Sequence, residues 1–328
     1  MKSNNYISIP IENFKRTPKE IPIDVFIKLN EDNYAHIFSK ATGVDYVRLN
    51  QYVKKGVELL YVRESDSVAL EQYLARTCEV VFADPNVSDS KKVAVLLNMV
   101  EQNLTDLFGS IKVSPDVASA SQKVVKNFIS VLSTDPKMLT TLMKIASHGD
   151  YLFYHSVSTS VVSMILAKGT QKADSNLIEI CGLGGFLHDI GLTRLPKDII
   201  EAQDDLTAAD WREVRIHPSL GTEMIQLAKS IPDEVRYIIE QHHEEPRGKG
   251  YPKQLRGNVI FYPAKIVAVA DSFCALISKR PFRDAFSPEQ AINVLKHEIG
   301  KYDRDLVLTL ETIITKIPSK SGAIKKAA

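Results

Sequence analysis

The chain has 328 residues, of which 44% are hydrophobic and 25% charged, with a formal net charge of +1. That length suits about two domains with real cores, and near-neutral charge gives no general attraction to DNA or a membrane surface. Its three cysteines, Cys78, Cys181 and Cys274, lie far apart with no CxxC. This excludes a disulfide framework or zinc knuckle and leaves reduced thiols of a cytoplasmic protein.

In chain order, the N-terminal "MKSNNYISIP" lacks the apolar core of a signal peptide. "YISIPI" and "IPIDVFIKL" alternate, with Ile21, Ile23, Val25, Ile27 and Leu29 on one face, as half-buried strands require. "VDYVRLNQYVKKG" predicts a short helix stopped at Gly56. "VELLYVR" predicts a third strand, and Asp66 is placed to cap the helix "SVALEQYLARTCEVVF". Residues 1–84 therefore form a small α/β, βαβ-like module without a catalytic constellation: a regulatory, sensory or docking domain, or a structural appendage. "ADPNVSDS" marks its boundary.

Beyond it the pattern is helical. "KKVAVLLNMVEQNLTDLF" and "SASQKVVKNFISVLS" carry apolar residues at three-to-four spacing and make 85–137 a run of connecting helices. From 138 to 320 the chain predicts an all-α domain, so the fold class is α+β overall. "SVSTSVVSMILA" is too short to span a bilayer, and the basic tail "SKSGAIKKAA" reads as a solvated end.

Eight histidines occur, five of them at His155, His188, His217, His242 and His243, with carboxylates at Asp189 and Asp271. A lone histidine on an apolar helix is usually a hydrogen-bonded core residue. As a set they recur on segments about 25 to 33 residues apart, as ligands on helices around one centre do. Asp271 ends the apolar run "KIVAVAD", where an ionised carboxylate is costly without a cation. Neighbours on a helix point about 100° apart, so His188 and Asp189 serve two ions better than one. A carboxylate can bridge cations about 3.5–4 Å apart. Nitrogen and oxygen donors without thiolate favour iron or manganese, or zinc, over calcium.

These residues stand in "HS" at His155, "HDIG" at His188, "HP..G" at His217 to Gly221, "HHE" at His242, "GYP" at Gly250 to Pro252, "VAD.F" at Asp271 and "RPFR" at Arg280 to Arg283. The run resembles the HD-GYP family, the bacterial branch of the HD phosphohydrolases, over about half the chain and in the family's order. The resemblance implies an all-helical HD-GYP domain with a non-haem metal centre, commonly iron, that hydrolyses cyclic di-GMP to linear pGpG or GMP. It makes His155, His188, Asp189, His217, His242, His243 and Asp271 the ligands. Arg280 and Arg283 match phosphate-contacting positions, a role that suits guanidinium. Tyr251 falls in the signature loop, to shape the pocket, stack on guanine or simply pack. It also implies cyclic di-GMP or a related nucleotide as ligand and GGDEF-type signalling proteins as partners.

Three departures bear on mechanism. Where some members carry a carboxylate for a third metal, this chain has Tyr151, so two divalent ions are expected. Leu192 replaces the lysine of "HDIGK", and Cys274 replaces the second aspartate of "VAD.FDAL". Losing both avoids a buried charge without its partner, so the joint change looks like a retired catalytic pair. Asp189, Arg280 and Arg283 are the remaining catalytic candidates. Three readings stand: a slow two-metal cyclic di-GMP phosphodiesterase, a non-catalytic metal-containing receptor or scaffold, or hydrolysis of another phosphoester by the same centre. Arg247 and Lys249 in "HHEEPRGKGYP" also depart and read as exposed loop charges or, alternatively, as replacement cations for phosphate.

Overall fold

The structure is a computed structural model that describes residues 5–14, 20–30, 33–67, 103–134, 151–200, 206–279 and 283–316, with a few isolated positions between 69 and 100. The chain divides into two compact units, Met1–Met99 and Val100–Ala328. The segment "ADPNVSDS" and most of the helix that Asp66 was expected to cap lie outside the described residues.

In the first unit, β1 (Tyr6–Pro10), β2 (Val25–Asn30), β3 (Asn33–Phe38), α1 (Tyr46–Lys54) and β4 (Leu59–Arg63) build one four-stranded sheet, ordered β1-β4-β2-β3. All three pairings are antiparallel. The strands flanking α1 run the same way but are separated by β2, so the expected βαβ is split rather than contiguous. Strand β3, "NYAHIF", is not evident from alternation in the sequence, and it forms a hairpin with β2. Ile21, Ile23 and Val25 are buried, whereas Leu29 is 62% exposed, because β2 runs past the core through a register shift near its end. Asp45 caps α1 through the amides of Val47 and Arg48, and Gly56 (φ 79°) turns the chain out of it.

The second unit is helical among its described residues: α2 (Pro115–Thr134), α3 (Tyr151–Gly169), α4 (Ser175–Leu187), α5 (Lys197–Ile200), α6 (Ala208–Val214), α7 (His217–Met224), α8 (Asp233–Gln241), α9 (Tyr262–Ile277), α10 (Pro288–His297) and α11 (Arg304–Thr315). Helices α3, α4 and α9 form its centre. Positions 155–164, 180–187 and 263–271 are buried almost without a break, as expected of helices packed on every side. Gly185 permits the tight crossing of α4 on α3, since a Cβ there would press on the Ser160 backbone. Capping boxes at Thr207/Asp210 and Ser287/Gln290 fix the starts of α6 and α10. Asp174 and Asp303 cap α4 and α11. Among the described residues no helix is long and apolar enough to cross a membrane.

None of the seven candidate ligands lies in the first unit. A chain beginning at Val100 is expected to fold and keep its full metal content, checked by circular dichroism and elemental analysis. A folded helical chain stripped of metal would show that the first unit is needed to build the centre.

Candidate metal centre

Five elements deliver the seven side chains. His155 lies in the first turns of α3; His188 caps the end of α4, and Asp189 follows as the chain tightens into a 3-10 turn. His217 opens α7, His242 ends α8 with His243 next to it, and Asp271 lies in the middle of α9. Gly191 makes the approach of α7 possible. A Cβ there would overlap the His217 carbonyl, so the glycine of "HDIG" seats the third histidine beside the His-Asp pair.

The side chains form two adjoining groups, Asp189/His217/His242/His243 and His155/His188/Asp271, with the donor atoms of each within 4.8 Å of one another. Asp189 joins them. Its Oδ1 lies 3.2 Å from His217 Nε2 and 3.7 Å from His242 Nε2, while its Oδ2 lies 3.2 Å from His188 Nε2 and 3.8 Å from His155 Nε2. One carboxylate oxygen thus faces each group. Asp271 Oδ1 lies 2.9 Å from His155 Nε2 and 3.8 Å from His188 Nε2.

The imidazoles are set for cation binding. Nδ1 of His188, His217 and His242 lies 2.7–2.8 Å from the carbonyls of Gly185, Val214 and Ile239. A carbonyl only accepts, so each Nδ1 carries a proton and each Nε2 is the ring nitrogen turned inward, where it can offer its lone pair to a cation. His217 Nε2 and His242 Nε2 then face each other at 3.2 Å, beside Asp189 Oδ1. His188 Nε2 makes no well-aligned hydrogen bond although Asp189 Oδ2 is near. Such a packing of buried lone pairs and carboxylates calls for positive charge, and the donor set fits divalent cations.

The electrostatics agree. Burial alone would lower the pKa of His188, but the Asp189 carboxylate, then Asp271, push it up to about 9. Burial opposes ionisation of Asp189 and Asp271, yet the surrounding histidines hold both below the usual carboxylate range. Burial, and then the neighbouring imidazoles, push His243 well down. The Asp189/His217/His242/His243 group thus combines an anionic carboxylate with a histidine that resists protonation.

Around the centre, Tyr251 stacks on His243, with ring centroids 4.6 Å apart, which makes it a wall of the site. Burial pushes its phenol up, so the hydroxyl is neutral. Glu244 has a role not read from the sequence. It is buried, and its two oxygens accept the amides of Lys253 (2.6 Å) and Leu255 (2.8 Å), which pins the "GYP" loop to the end of α8. The third letter of "HHE" is its only sequence signal. Glu244→Ala leaves two amides without acceptors, and unfolding should become easier by about 2–3 kcal/mol, read from denaturant titration. A variant as stable as the parent would exclude this pinning role.

Arg283 gives Nη1 to the carbonyls of Leu276 and Asp284 and Nη2 to that of Ala275, at 2.9–3.0 Å, and lies on the Phe286 ring. These bonds close the C-terminal end of α9. Arg280 lies outside the described residues, and so does the side chain of Tyr151. Cys274 is fully buried one turn beyond Asp271, and burial pushes its thiol up, out of reach of ionisation. Leu192 is half-buried in the 3-10 turn after Asp189.

A family model for the HD domain matches residues 137–306, a little over half the chain. The chain belongs to the HD domain family, and the HD-GYP resemblance of its motifs stands. Over 215 residues it is 29% identical to a cyclic di-GMP phosphodiesterase of Pseudomonas aeruginosa, covering 65% of this chain and 51% of that protein. A 3′3′-cGAMP-specific phosphodiesterase of Vibrio cholerae is 29% identical over 46% of this chain and 34% of its own length. The chain thus spans between a third and about half of these relatives. An HDG"Y"P protein of Bdellovibrio bacteriovorus shares the fold, with a TM-score of 0.66 over 95% of this chain and all of that one, at 20% identity.

Proposed function

We propose that the chain is a cytoplasmic cyclic di-GMP phosphodiesterase with two divalent metals, iron with manganese as the substitute, held by His155, His188, Asp189, His217, His242, His243 and Asp271. The carrying observation is the carboxylate of Asp189, which turns one oxygen to each of two buried donor groups. The named activities of the relatives support a cyclic dinucleotide as substrate. Divalent metals bound in such a centre supply Lewis-acid stabilisation of a phosphoryl oxygen and a water acidified toward neutral pH.

The chain's own residues supply the rest. The carbonyl-anchored histidines keep their Nε2 atoms turned inward, and Tyr251 walls the site beside His243. Arg280 and Arg283 remain the cations assigned to substrate phosphate, with three donors of Arg283 already committed to carbonyls. At the leaving 3′-oxygen, Leu192 and Cys274 offer no cation, and the buried Cys274 thiol, its pKa pushed up, is a poor acid. General-acid assistance contributes about 10²–10⁴-fold, so turnover is slow relative to an enzyme that has it. The N-terminal module is regulatory, and GGDEF-type signalling proteins are the partners this reading implies.

The test is elemental analysis of anaerobically purified protein, followed by cyclic di-GMP turnover and binding on the same sample. About two metals per chain with measurable hydrolysis to pGpG or GMP is the expected result. Full metal and tight nucleotide binding with no turnover would replace the enzyme by a receptor.

A further inference from the structure

Arg215 follows α6 directly, two residues before His217. Its side chain is exposed, and its guanidinium carbon stands 5.6 Å from the centre of the Tyr251 ring. That ring also stacks on His243, so Tyr251 contacts both the guanidinium and a metal-binding imidazole. Arg247 and Lys253, on the same loop as Tyr251, are paired with Glu245 and Glu240. Arg215 has no carboxylate within 4.0 Å among the described residues.

We propose that Arg215 determines specificity at this centre by holding the second, uncleaved phosphate of a cyclic dinucleotide. The inference rests on the phosphodiesterase reading above. A cyclic dinucleotide brings two phosphodiester anions, and only one of them can sit among the metal ligands. The other lies at the rim beyond the Tyr251 ring, where it gives up part of its hydration and a facing cation offsets that cost. Arg283 is assigned to the phosphate at the metal centre and already makes three bonds to carbonyls around the end of α9, which leaves few donors for a second phosphate. Arg215 has its planar fork free of carboxylates. Tyr251 carries it by a cation–π contact that orients the guanidinium without using its N–H donors. Bidentate bonds to phosphate oxygens suit that geometry. Tyr251 thereby acquires a task as the platform for this cation.

The test compares Arg215→Ala and Arg215→Lys with the parent in the full-length, metal-loaded protein. The measurements are equilibrium binding of cyclic di-GMP, its steady-state hydrolysis, and hydrolysis of bis(p-nitrophenyl) phosphate, which has a single phosphodiester. Loss of a charge-assisted phosphate contact should weaken cyclic di-GMP binding and raise its KM about 10- to 100-fold. Most of the loss should fall in KM rather than kcat, since the contact is the same in the ground and transition states. The shift for bis(p-nitrophenyl) phosphate should be at least about tenfold smaller. Lysine should recover part of the affinity, because it keeps the charge but not the fork. Equal shifts for both substrates, or loss of metal from Arg215→Ala, would assign the residue to the build of the centre and overturn the proposal. Unaltered binding and KM would overturn it alone. A parent protein that cleaves bis(p-nitrophenyl) phosphate yet neither binds nor cleaves cyclic di-GMP would overturn the substrate reading and this inference with it.

Discussion

Asp189→Ala is expected to lower metal content from about two ions per chain to less than one and to remove phosphodiesterase activity. The side chain is nearly buried, and its two oxygens reach different donor groups at 3.2 Å each. Every other candidate ligand belongs to one group only. Losing one of those should weaken one ion; losing Asp189 takes an anionic donor from both. Loss of a group that merely orients a ligand costs about 10–100-fold in metal affinity, so removing this carboxylate should exceed that for each site. Asp189→Asn separates charge from shape, since it fills the same space with a neutral group. If charge and bridging matter, the asparagine variant should lose metal nearly as completely as the alanine one. His217→Ala is the reference, and it should spare the ion at His155/His188/Asp271. Elemental analysis after anaerobic purification reads all three variants. Two ions retained in Asp189→Ala would end the bridging role.

How much of this is legible in the sequence depends on where the information resides. The seven converging side chains declare themselves by identity, because histidine and aspartate at helix-length intervals have few other uses in an apolar domain. The anchoring of His188, His217 and His242 by the carbonyls of Gly185, Val214 and Ile239 is backbone geometry, which residue letters do not encode. Glu244 escaped for a related reason: its partners are two amides nine and eleven residues away, and any loop has amides. Strand β3 escaped because "NYAHIF" breaks the alternation with Ala35 and His36, and only its pairing with β2 makes it a strand. Arginines were the hardest to read. "RPFR" suggests phosphate, and nothing in it announces that Arg283 also ties off a helix, while Arg215, in no motif, faces the signature tyrosine. A long flexible cation takes its role from what lies within its reach, and that is a tertiary fact.

Leu192→Lys with Cys274→Asp is expected to raise cyclic di-GMP hydrolysis, by up to about 10²-fold if the pair supplies general-acid help to the leaving oxygen. Leu192 lies three residues past Asp189 and Cys274 three past Asp271, so both substitutions fall one turn from ligands on either side of the centre. Their environments differ. Leu192 is half-buried, and a lysine there can reach water with its ammonium. Cys274 is fully buried in the middle of the second unit, where a lone carboxylate is costly. Cys274→Asp alone should therefore destabilise by about 3–5 kcal/mol, the scale for a buried charge without its partner. Adding Leu192→Lys should return part of that stability and all of the rate gain. The two changes should be strongly non-additive in both readouts, as groups acting as a unit are. Unfolding midpoints and kcat, taken at matched metal content, close the double-mutant cycle, because better metal loading would imitate a chemical gain. A folded double variant that binds metal and nucleotide normally but turns over no faster would show that leaving-group protonation is not what limits this centre. Additive stabilities would show that the introduced ammonium and carboxylate never meet.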